Sequence, residues 1–357
     1  MIRYAVVGAG WISQEAFMPA VAATGNSRMQ AIVSGSPVAA RTLADFHGVP
    51  EVVSYADYDA LIQSDRIDAV YIALPNSMHA DYAIRALKAG KHAMVEKPLA
   101  TTLAECTAMI AAAKESGALL MTAYRLHNEP GTIAAIEAIR AGKIGKPVHF
   151  SSSFAFQSAL GNHRLQSNHW GGPLQDIGVY CLNAARHVFG AEPTEVHAMA
   201  SRPLDDPRFS EIDAHLAVTL RFPDAGLAQF FCSFGAAAVE YYRVLGTEGE
   251  ITVDPGFRFE SAMAMRLKRG DEVKVTQFPA VDHFSGQIAY FSDCIASGTQ
   301  PEADGHEGMN DMRALLAIEQ SIRTGANVEL HAPPRTRHIE SSLQRQFAPT
   351  QNRLLIP

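Results

Sequence analysis

Gly8 and Gly10 open a short motif whose residue types suit the binding of a dinucleotide. The motif, GAGWIS, follows an apolar strand-like run and precedes a helical segment. Gly8 permits a tight turn, and Gly10 lets a pyrophosphate approach the backbone at the free N–H groups of a helix. Ser13 replaces the third glycine of the usual pattern and is small enough for close helix–strand packing. With Trp11 and Ile12, these residues predict the pyrophosphate loop of a dinucleotide site.

The end of the second strand indicates which dinucleotide is bound. A site for NAD usually has an acidic residue there to bind the ribose 2′-hydroxyl, and this chain has Ser34, Gly35 and Ser36 instead. Two hydroxyls, a glycine and the nearby Arg41 suit a 2′-phosphate. The alternative is that Arg41 only faces solvent. The pattern therefore favours NADP over NAD.

Lys97 is a candidate for the chemistry itself. It lies in Val95-Glu96-Lys97-Pro98, at the carboxyl end of a strand, where ligands bind in open α/β sheets. Because a residue before proline is restricted to extended backbone, Lys97 should project into the crevice. An ordinary surface lysine is the alternative.

Two kinds of segment must position these residues. Apolar runs alternate with helical stretches up to about residue 125, which predicts a Rossmann-type, doubly wound parallel sheet. Beyond that point, runs in which apolar and polar residues alternate are joined by turns. They predict an α+β domain with a large open, mostly antiparallel sheet. The expected boundaries are a dinucleotide-binding domain over 1–125, a substrate-binding and oligomerisation domain over 126–330, and an arm or tail over 331–357.

Composition and charge exclude several other classes of protein. The 357 residues carry a net charge of -7, which argues against a nucleic-acid-binding protein. No apolar run is long enough for a membrane span, and no signal peptide is recognisable. The four cysteines show no paired spacing, so we expect a cytoplasmic protein. The fourteen histidines show no zinc-helix spacing, and no metal site is expected.

The chain resembles the glucose-fructose oxidoreductase / inositol dehydrogenase (Gfo/Idh/MocA) family. The resemblance covers about residues 1–330 and is closest to the glucose-fructose oxidoreductase branch. The motifs that carry it are GAGWIS, AVYIALPNSMHADYAIRALKAGKHAMVEKPLA, YRLHNEP, GGPLQDIGVYCLNAARHVFG and EGMNDMRALLAIEQSIRTG. It implies that Lys97 is catalytic, with Asp176 and Tyr180 as its partners.

Asp176 and Tyr180 lie four residues apart, and on one helix they would share a face. By the same resemblance, Tyr180 takes the position where inositol-dehydrogenase-like members usually have histidine. The remaining residues expected at the cofactor or the sugar are Leu74, Asn76, His79, Glu96, Arg125, Trp170 and His163. His163, Lys97, Asp176 and Tyr180 form the expected sugar-binding set.

The leading hypothesis is an NADP-dependent oxidoreductase that moves hydride between a cyclic aldose, or a related polyol or ketose, and the nicotinamide. Tyr180, with Lys97, would exchange the proton of the reacting hydroxyl while Asp176 orients the sugar. The cofactor could stay bound while a second sugar accepts the hydride.

The sequence leaves open a simple sugar or inositol dehydrogenase that releases its coenzyme, and a non-catalytic NADP-binding sensor. We expect no counterpart of the export signal and N-terminal arm of glucose-fructose oxidoreductase ahead of the first strand, so permanent retention of the cofactor is less expected here. A homodimer or homotetramer through the open sheet is expected.

Overall fold

The computed structural model of the chain describes residues 1–343 and 345–356. They form two compact units. The first comprises Met1–Asn128, Val281–Met309 and the described residues from Leu343 onward, and the second comprises Glu129–Ala280 and Asn310–Ser342. The boundaries expected from the sequence are contiguous, whereas each of these units is assembled from separate stretches of chain.

Fifteen strands are found in the described residues. In chain order they are β1 (Ile2–Val7), β2 (Ser27–Val33), β3 (Glu51–Val53), β4 (Ala69–Ile72), β5 (His92–Glu96), β6 (Leu120–Ala123), β7 (Pro147–Gln157), β8 (Glu195–Ser201), β9 (His215–Arg221), β10 (Leu227–Ser233), β11 (Gly235–Gly246), β12 (Glu250–Asp254), β13 (Met263–Arg269), β14 (Glu272–Phe278) and β15 (Val328–Glu329).

Nine α-helices accompany them, besides short 3-10 turns, again counted over the described residues. They are α1 (a π-helical turn Ser13–Phe17 continued by Met18–Val21), α2 (Pro37–His47), α3 (Tyr58–Ile62), α4 (His79–Lys88), α5 (Leu103–Ser116), α6 (Pro130–Arg140), α7 (a π-helical turn Leu174–Gly178 continued by Val179–Phe189), α8 (His283–Ser297) and α9 (Gly305–Thr324). None of the described helices is both long and apolar enough to cross a membrane.

The sheet of the first unit is parallel throughout and has the order β3-β2-β1-β4-β5-β6. The central strands are apolar and buried along their length, as in Tyr4–Val7 and Ala69–Ile72. Strands buried on both faces require helices on both faces, which is why the chain alternates strand and helix here. This sheet confirms the predicted Rossmann-type fold. All six strands end at the same edge, so the residues that follow them are neighbours along one crevice.

The sheet of the second unit has nine strands in the order β14-β13-β12-β11-β7-β10-β9-β8-β15. Only β7 and β10 pair in parallel; the other neighbouring pairs are antiparallel. Burial alternates along β9, so one face of the sheet is covered and the other is open. The open, mostly antiparallel sheet that the sequence predicts is confirmed.

Candidate functional site

The glycine-rich loop after β1 has the geometry that dinucleotide binding requires. Gly8 has φ of +97°, and a Cβ atom there would lie 2.5 Å from the carbonyl oxygen of Ala73. The Ser13 hydroxyl donates a hydrogen bond of 2.6 Å to the Gly8 carbonyl, which fixes the turn from inside. Gly10 is exposed, and no described heavy atom lies within 4 Å of the position of a Cβ atom there. The loop is therefore tightly packed at Gly8 and open at Gly10, where a pyrophosphate would approach.

Trp11 and Ile12 follow this opening. The Trp11 side chain is 55% exposed, so it does not fill the core, and Ile12 is half-buried. The helical segment passes through the π-helical turn Ser13–Phe17 before it continues as regular α-helix. Single π-helical turns are frequent at functional sites because they change the direction in which side chains and N–H groups point.

The end of β2 presents hydroxyls and no carboxylate. Ser34 is buried and its hydroxyl accepts the N–H of Ser36 at 3.1 Å, while Gly35 and Ser36 are exposed. Ser36 precedes α2, and its side chain makes no capping hydrogen bond to that helix. The Arg41 side chain is 53% exposed, 3.8 Å from the Asp45 carboxylate. These residues fit a 2′-phosphate, because a hydroxyl, backbone N–H groups and a guanidinium suit an anion.

His79 is buried between the segments that follow β4 and β5. The ring is 1% exposed, and its Nδ1 and Nε2 atoms each lie 2.9 Å from a carbonyl oxygen, of Pro98 and Leu74 respectively. The expected contribution of His79 to the cofactor site stays a prediction, and the two ring contacts found here are both to backbone carbonyls. His79 thus ties the turn after β5 to the loop after β4, where Leu74 and Asn76 are only half-buried. Burial lowers the pKa of His79.

Glu96 ends β5, and Lys97 follows it directly. Glu96 accepts a hydrogen bond of 2.6 Å from the Tyr71 hydroxyl, and burial raises the pKa of this carboxyl group. Lys97 is half-buried at the carboxyl edge of the sheet. Its position is the one expected from the sequence: directly after a strand, on the same edge as the Gly8 loop.

Arg125 begins the turn after β6 and is 7% exposed. Its Nη1 atom lies 3.1 Å from Nδ1 of His283, which is fully buried in α8. Burial holds the pKa of His283 well below its ordinary value, and the Arg125 guanidinium acts in the same direction. Arg125 thus joins the edge of the sheet to α8.

Asp176 and Tyr180 belong to the second unit. Asp176 lies in the π-helical turn of α7. Its spacing from Tyr180 therefore differs from the regular α-helical spacing that the sequence predicts. The Arg164 Nε atom is 3.2 Å from the Asp176 carboxylate. The half-buried Tyr180 ring packs near those of Phe154 and Phe257, with centroid distances of 5.9 and 6.4 Å. A carboxylate such as that of Asp176 can orient a sugar through its hydroxyl groups. A phenol such as that of Tyr180, packed against aromatic rings, can exchange a proton with a sugar hydroxyl.

The loop before α7 is fastened at its end by Glu319. The Trp170 indole N–H donates to Glu319 at 2.8 Å, and the Gln175 amide donates to the same carboxylate oxygen at 2.6 Å. Burial raises the pKa of Glu319. Trp170 itself has a left-handed backbone conformation, with φ of 53°. His163, earlier in the same loop, is exposed.

The structure thus assembles the predicted cofactor residues, apart from Trp170, within the first unit. It places Asp176, Tyr180, His163 and Trp170 in the second unit. Arg164 and Glu319 were missed by sequence reasoning. Arg164 had a weak signal, since it lies beside His163 in a loop already suspected, but Glu319 had none because it is 144 residues from Gln175.

Comparison with known proteins agrees with this geometry. Residues 2–124 match a model described as an oxidoreductase family with an NAD-binding Rossmann fold. Residues 132–252 match the GFO/IDH/MocA C-terminal domain.

Individual relatives extend over nearly the whole chain. A D-xylose 1-dehydrogenase (NADP(+)) from Haloferax volcanii is 31% identical over 92% of this chain and 100% of its own length. The crystal structure of an aldose-aldose oxidoreductase from Caulobacter crescentus, complexed with glycerol, has a TM-score of 0.87 and 36% identity over 92% of this chain and 99% of that one. A 3-ketoreductase from Actinomadura kijaniata, in complex with NADP and TDP-benzene, has a TM-score of 0.83 and 28% identity over 90% of this chain and 98% of that one.

These findings confirm the predicted family and, with it, the prediction of an oxidoreductase enzyme. The predicted cofactor, NADP, is named for the xylose dehydrogenase and for the 3-ketoreductase. The predicted substrate class, a sugar, is named for the xylose dehydrogenase and for the aldose-aldose oxidoreductase. The chain belongs to the GFO/IDH/MocA oxidoreductase family.

Proposed function

We propose that this chain is an NADP-dependent oxidoreductase that transfers hydride between a cyclic aldose, or a related polyol or ketose, and the nicotinamide. The observation that carries the proposal is the end of β2, where Ser34, Gly35 and Ser36 replace the acid of an NAD site and Arg41 stands close by in sequence. A relative with 31% identity is named as an NADP(+)-dependent xylose dehydrogenase, which supports the same cofactor and substrate class.

The residues that would hold the dinucleotide all lie in the first unit, most of them shortly after a strand. Gly8, Gly10, Trp11 and Ile12 bind the pyrophosphate through backbone N–H groups, as loops of this geometry do. Ser34, Gly35, Ser36 and Arg41 bind the phosphorylated ribose. Leu74, Asn76, Glu96 and Arg125 border the remainder of the site, and His79 positions two of its loops. When bound, NADP supplies the carbon that accepts the hydride.

Lys97, Asp176 and Tyr180 are assigned to the sugar. Tyr180 accepts the proton of the reacting hydroxyl during oxidation and returns it during reduction. Lys97 supplies a positive charge that favours the anionic form of the oxygen that loses its proton. Asp176, held by Arg164 at 3.2 Å, orients the sugar through its hydroxyl groups. His163 is exposed on the loop before α7 and is assigned to sugar binding, with Trp170 nearby in sequence.

The purified protein tests this proposal directly. We expect NADP to bind more tightly than NAD, and an aldose in a panel of aldoses, ketoses and inositols to reduce the bound nicotinamide. Lys97→Ala should lose the sugar-dependent change, and Lys97→Arg, which keeps the charge, should recover part of it. The proposal is wrong if no sugar changes the redox state of the nicotinamide or if Lys97→Ala reduces it at the original rate.

Two modes of turnover fit the relatives. One structural relative is an aldose-aldose oxidoreductase, which favours a retained cofactor and a second sugar as hydride acceptor. The xylose dehydrogenases favour a coenzyme released at each turnover. Absorbance of the protein after gel filtration separates the two modes, because only the first predicts reduced nicotinamide that co-elutes and is oxidised by added sugar.

The open face of the second sheet supports assembly into a homodimer or homotetramer. Its strands carry exposed apolar side chains, such as Met199 (70% exposed) and Val275 (56% exposed). Covering these side chains would remove apolar surface from water. Light scattering at working concentration checks this, and a monomer would contradict it. The four cysteines are all buried, which supports the expected cytoplasmic location.

A further inference from the structure

Residues 345–356, here called the strap, belong to the first unit although they follow the second in sequence. The strap has no helix or strand, so only its specific contacts hold it in place. It runs along α8 and then reaches α1, the helix that starts at the glycine-rich loop.

The first part of the strap is fixed on α8. Arg345 forms an ion pair of 2.5 Å with Asp293, and the Phe347 carbonyl accepts the N–H of Asp282 at 2.8 Å. The Arg345 carbonyl lies so close to Gly286 that a Cβ atom there would be 3.1 Å from it. The strap backbone therefore lies directly on this helix.

α8 is in turn a firm base within the first unit. Its Ser292 hydroxyl is 2.9 Å from the hydroxyl of Tyr4 in β1, and its Ser285 hydroxyl donates to the Ala20 carbonyl of α1 at 3.1 Å. The strap is thus anchored on an element that already packs against the central strand of the sheet.

The second part of the strap meets the two residues that follow Ser13. The Arg353 guanidinium lies 3.3 Å from the Glu15 carboxylate, and the side chains are only 24% and 18% exposed. The Ile356 N–H donates to Oε1 of Gln14 at 2.6 Å. Charge and hydrogen bonding together tie the strap to the first turn of α1.

Gln14 carries this contact on to the glycine-rich loop. Its Nε2 atom donates to the Ala9 carbonyl at 2.7 Å, and the side chain is 5% exposed. One amide group therefore joins the strap to the residue between Gly8 and Gly10. If the strap leaves, the loop carbonyl loses a partner whose position the strap had fixed.

We propose that the strap is a retention element of the dinucleotide site, with Gln14 as the positioning residue that transmits its docking to the glycine-rich loop. The inference rests on the proposed function, because it concerns the dinucleotide of that same site. Its consequence is kinetic: with the strap docked, NADPH leaves slowly, and the cofactor can stay bound while one sugar product is exchanged for the next substrate.

The test is a charge exchange at the pair closest to the loop. Glu15→Arg and Arg353→Glu are each expected to speed NADPH dissociation about two- to fivefold, the size expected of a partly exposed ion pair. The double variant should return the rate to the original value. Gln14→Met, which removes both hydrogen bonds, should speed dissociation about five- to thirtyfold. Nicotinamide fluorescence, followed after mixing with excess NADP, gives the rate.

Amide hydrogen exchange of residues 345–356 without cofactor supplies a readout that does not depend on catalysis. It should rise in both single variants and fall again in the double one. Arg269→Glu, at a 54% exposed side chain of the second unit, makes the same charge change as Arg353→Glu and should alter neither rate. The inference is overturned if strap exchange rises while NADPH dissociation stays unchanged, or if the double variant stays as fast as the single ones. If the unaltered chain binds no NADPH at all, the proposed function fails as well.

Discussion

The Tyr71 hydroxyl donates a hydrogen bond of 2.6 Å to the Glu96 carboxylate, joining β4 to β5 one residue before Lys97. The Tyr71 ring is also stacked on Phe17 of α1, with ring centroids 3.8 Å apart. A single side chain thus links the two strands that end at the proposed cofactor site to the helix that starts there.

Tyr71→Phe should keep the ring stack and remove only the hydrogen bond. Burial already raises the pKa of Glu96, and the Tyr71 hydrogen bond opposes this rise, so its loss should raise the pKa further. A folded-state pKa above the unfolded one means that the folded protein binds more protons, and stability falls as pH rises through that window. We expect a loss of about 1–3 kcal/mol at neutral pH that diminishes toward about pH 4.5. Denaturant unfolding across this range measures it.

Tyr58→Phe is the matched control for that change. The Tyr58 hydroxyl donates to the Tyr82 carbonyl at 2.9 Å, a neutral acceptor that does not titrate. Its loss should cost a similar free energy at every pH in the range. Equal pH profiles for the two variants would contradict the role given to Glu96.

His79→Gln should change both stability and its pH dependence. Because burial lowers the pKa of His79, the unfolded chain takes up a proton below about pH 6.5 that the folded chain does not. Stability therefore falls as pH drops through that value toward the folded-state pKa, and glutamine abolishes this contribution. We expect a loss of about 1–3 kcal/mol at about pH 7.5 and a shallower slope toward about pH 5.5. His283 is unchanged in the variant, so the difference in slope isolates His79.

Ser36→Asp should reverse the cofactor preference. A carboxylate there repels a 2′-phosphate and can accept the 2′-hydroxyl of NAD. We expect the Kd for NADP to rise about 10- to 100-fold while that for NAD falls, the counterpart of about 1.4–2.7 kcal/mol. Ser36→Asn, which has the same size without the charge, should keep the preference for NADP. Titration of both dinucleotides checks it, and an unchanged ratio of the two Kd values would show that the ribose phosphate binds elsewhere.

Tyr180→Phe should lower kcat without weakening cofactor binding. The ring contacts with Phe154 and Phe257 remain, whereas the hydroxyl that exchanges the proton is gone. General acid–base residues contribute typically about 10²- to 10⁴-fold, so a loss of that size in kcat is expected. Tyr241→Phe, at a 36% exposed tyrosine on β11, serves as the control. A variant at Tyr180 that keeps more than half of its kcat would remove this residue from the mechanism.

The first sheet could be predicted because its signal is local. Apolar runs such as Tyr4–Val7 alternate with helical stretches, and no contact distant in sequence is needed to see them. β3 escaped prediction, since Glu51–Val53 is a three-residue edge strand with no buried side chain. The π-helical turns of α1 and α7 escaped for another reason: regular helix and π-turn share the same apolar pattern over so few residues.

The side chains that support the site are set by contacts far apart in sequence. Nothing near Trp170 indicates Glu319, and nothing in GAGWIS indicates that residues 353 and 356 return to the two residues after it. His79 shows the same limit from the other direction. Its motif predicts a place at the cofactor site, but only the structure shows that both of its ring nitrogens face backbone carbonyls.

Arg186→Met should be the most destabilising of these changes. Arg186 is a fully buried residue of α7. It donates hydrogen bonds of 2.6 and 2.9 Å to Glu192 and a further hydrogen bond to Asp311 of α9. Methionine has a similar length but takes the Arg186 guanidinium away from two buried carboxylates and leaves Glu192 with the more distant Arg335, at 3.7 Å, which costs about 3–5 kcal/mol. Arg221→Met breaks an ion pair with Glu195 of similar length, 2.8 Å, but its side chain is 59% exposed, so solvent screens the pair and the loss of stability should be far smaller. Chemical denaturation of both variants decides the point: equal losses would mean that burial does not set the strength of these pairs. Because α7 carries Asp176 and Tyr180, Arg186→Met should also lower activity before the protein unfolds globally.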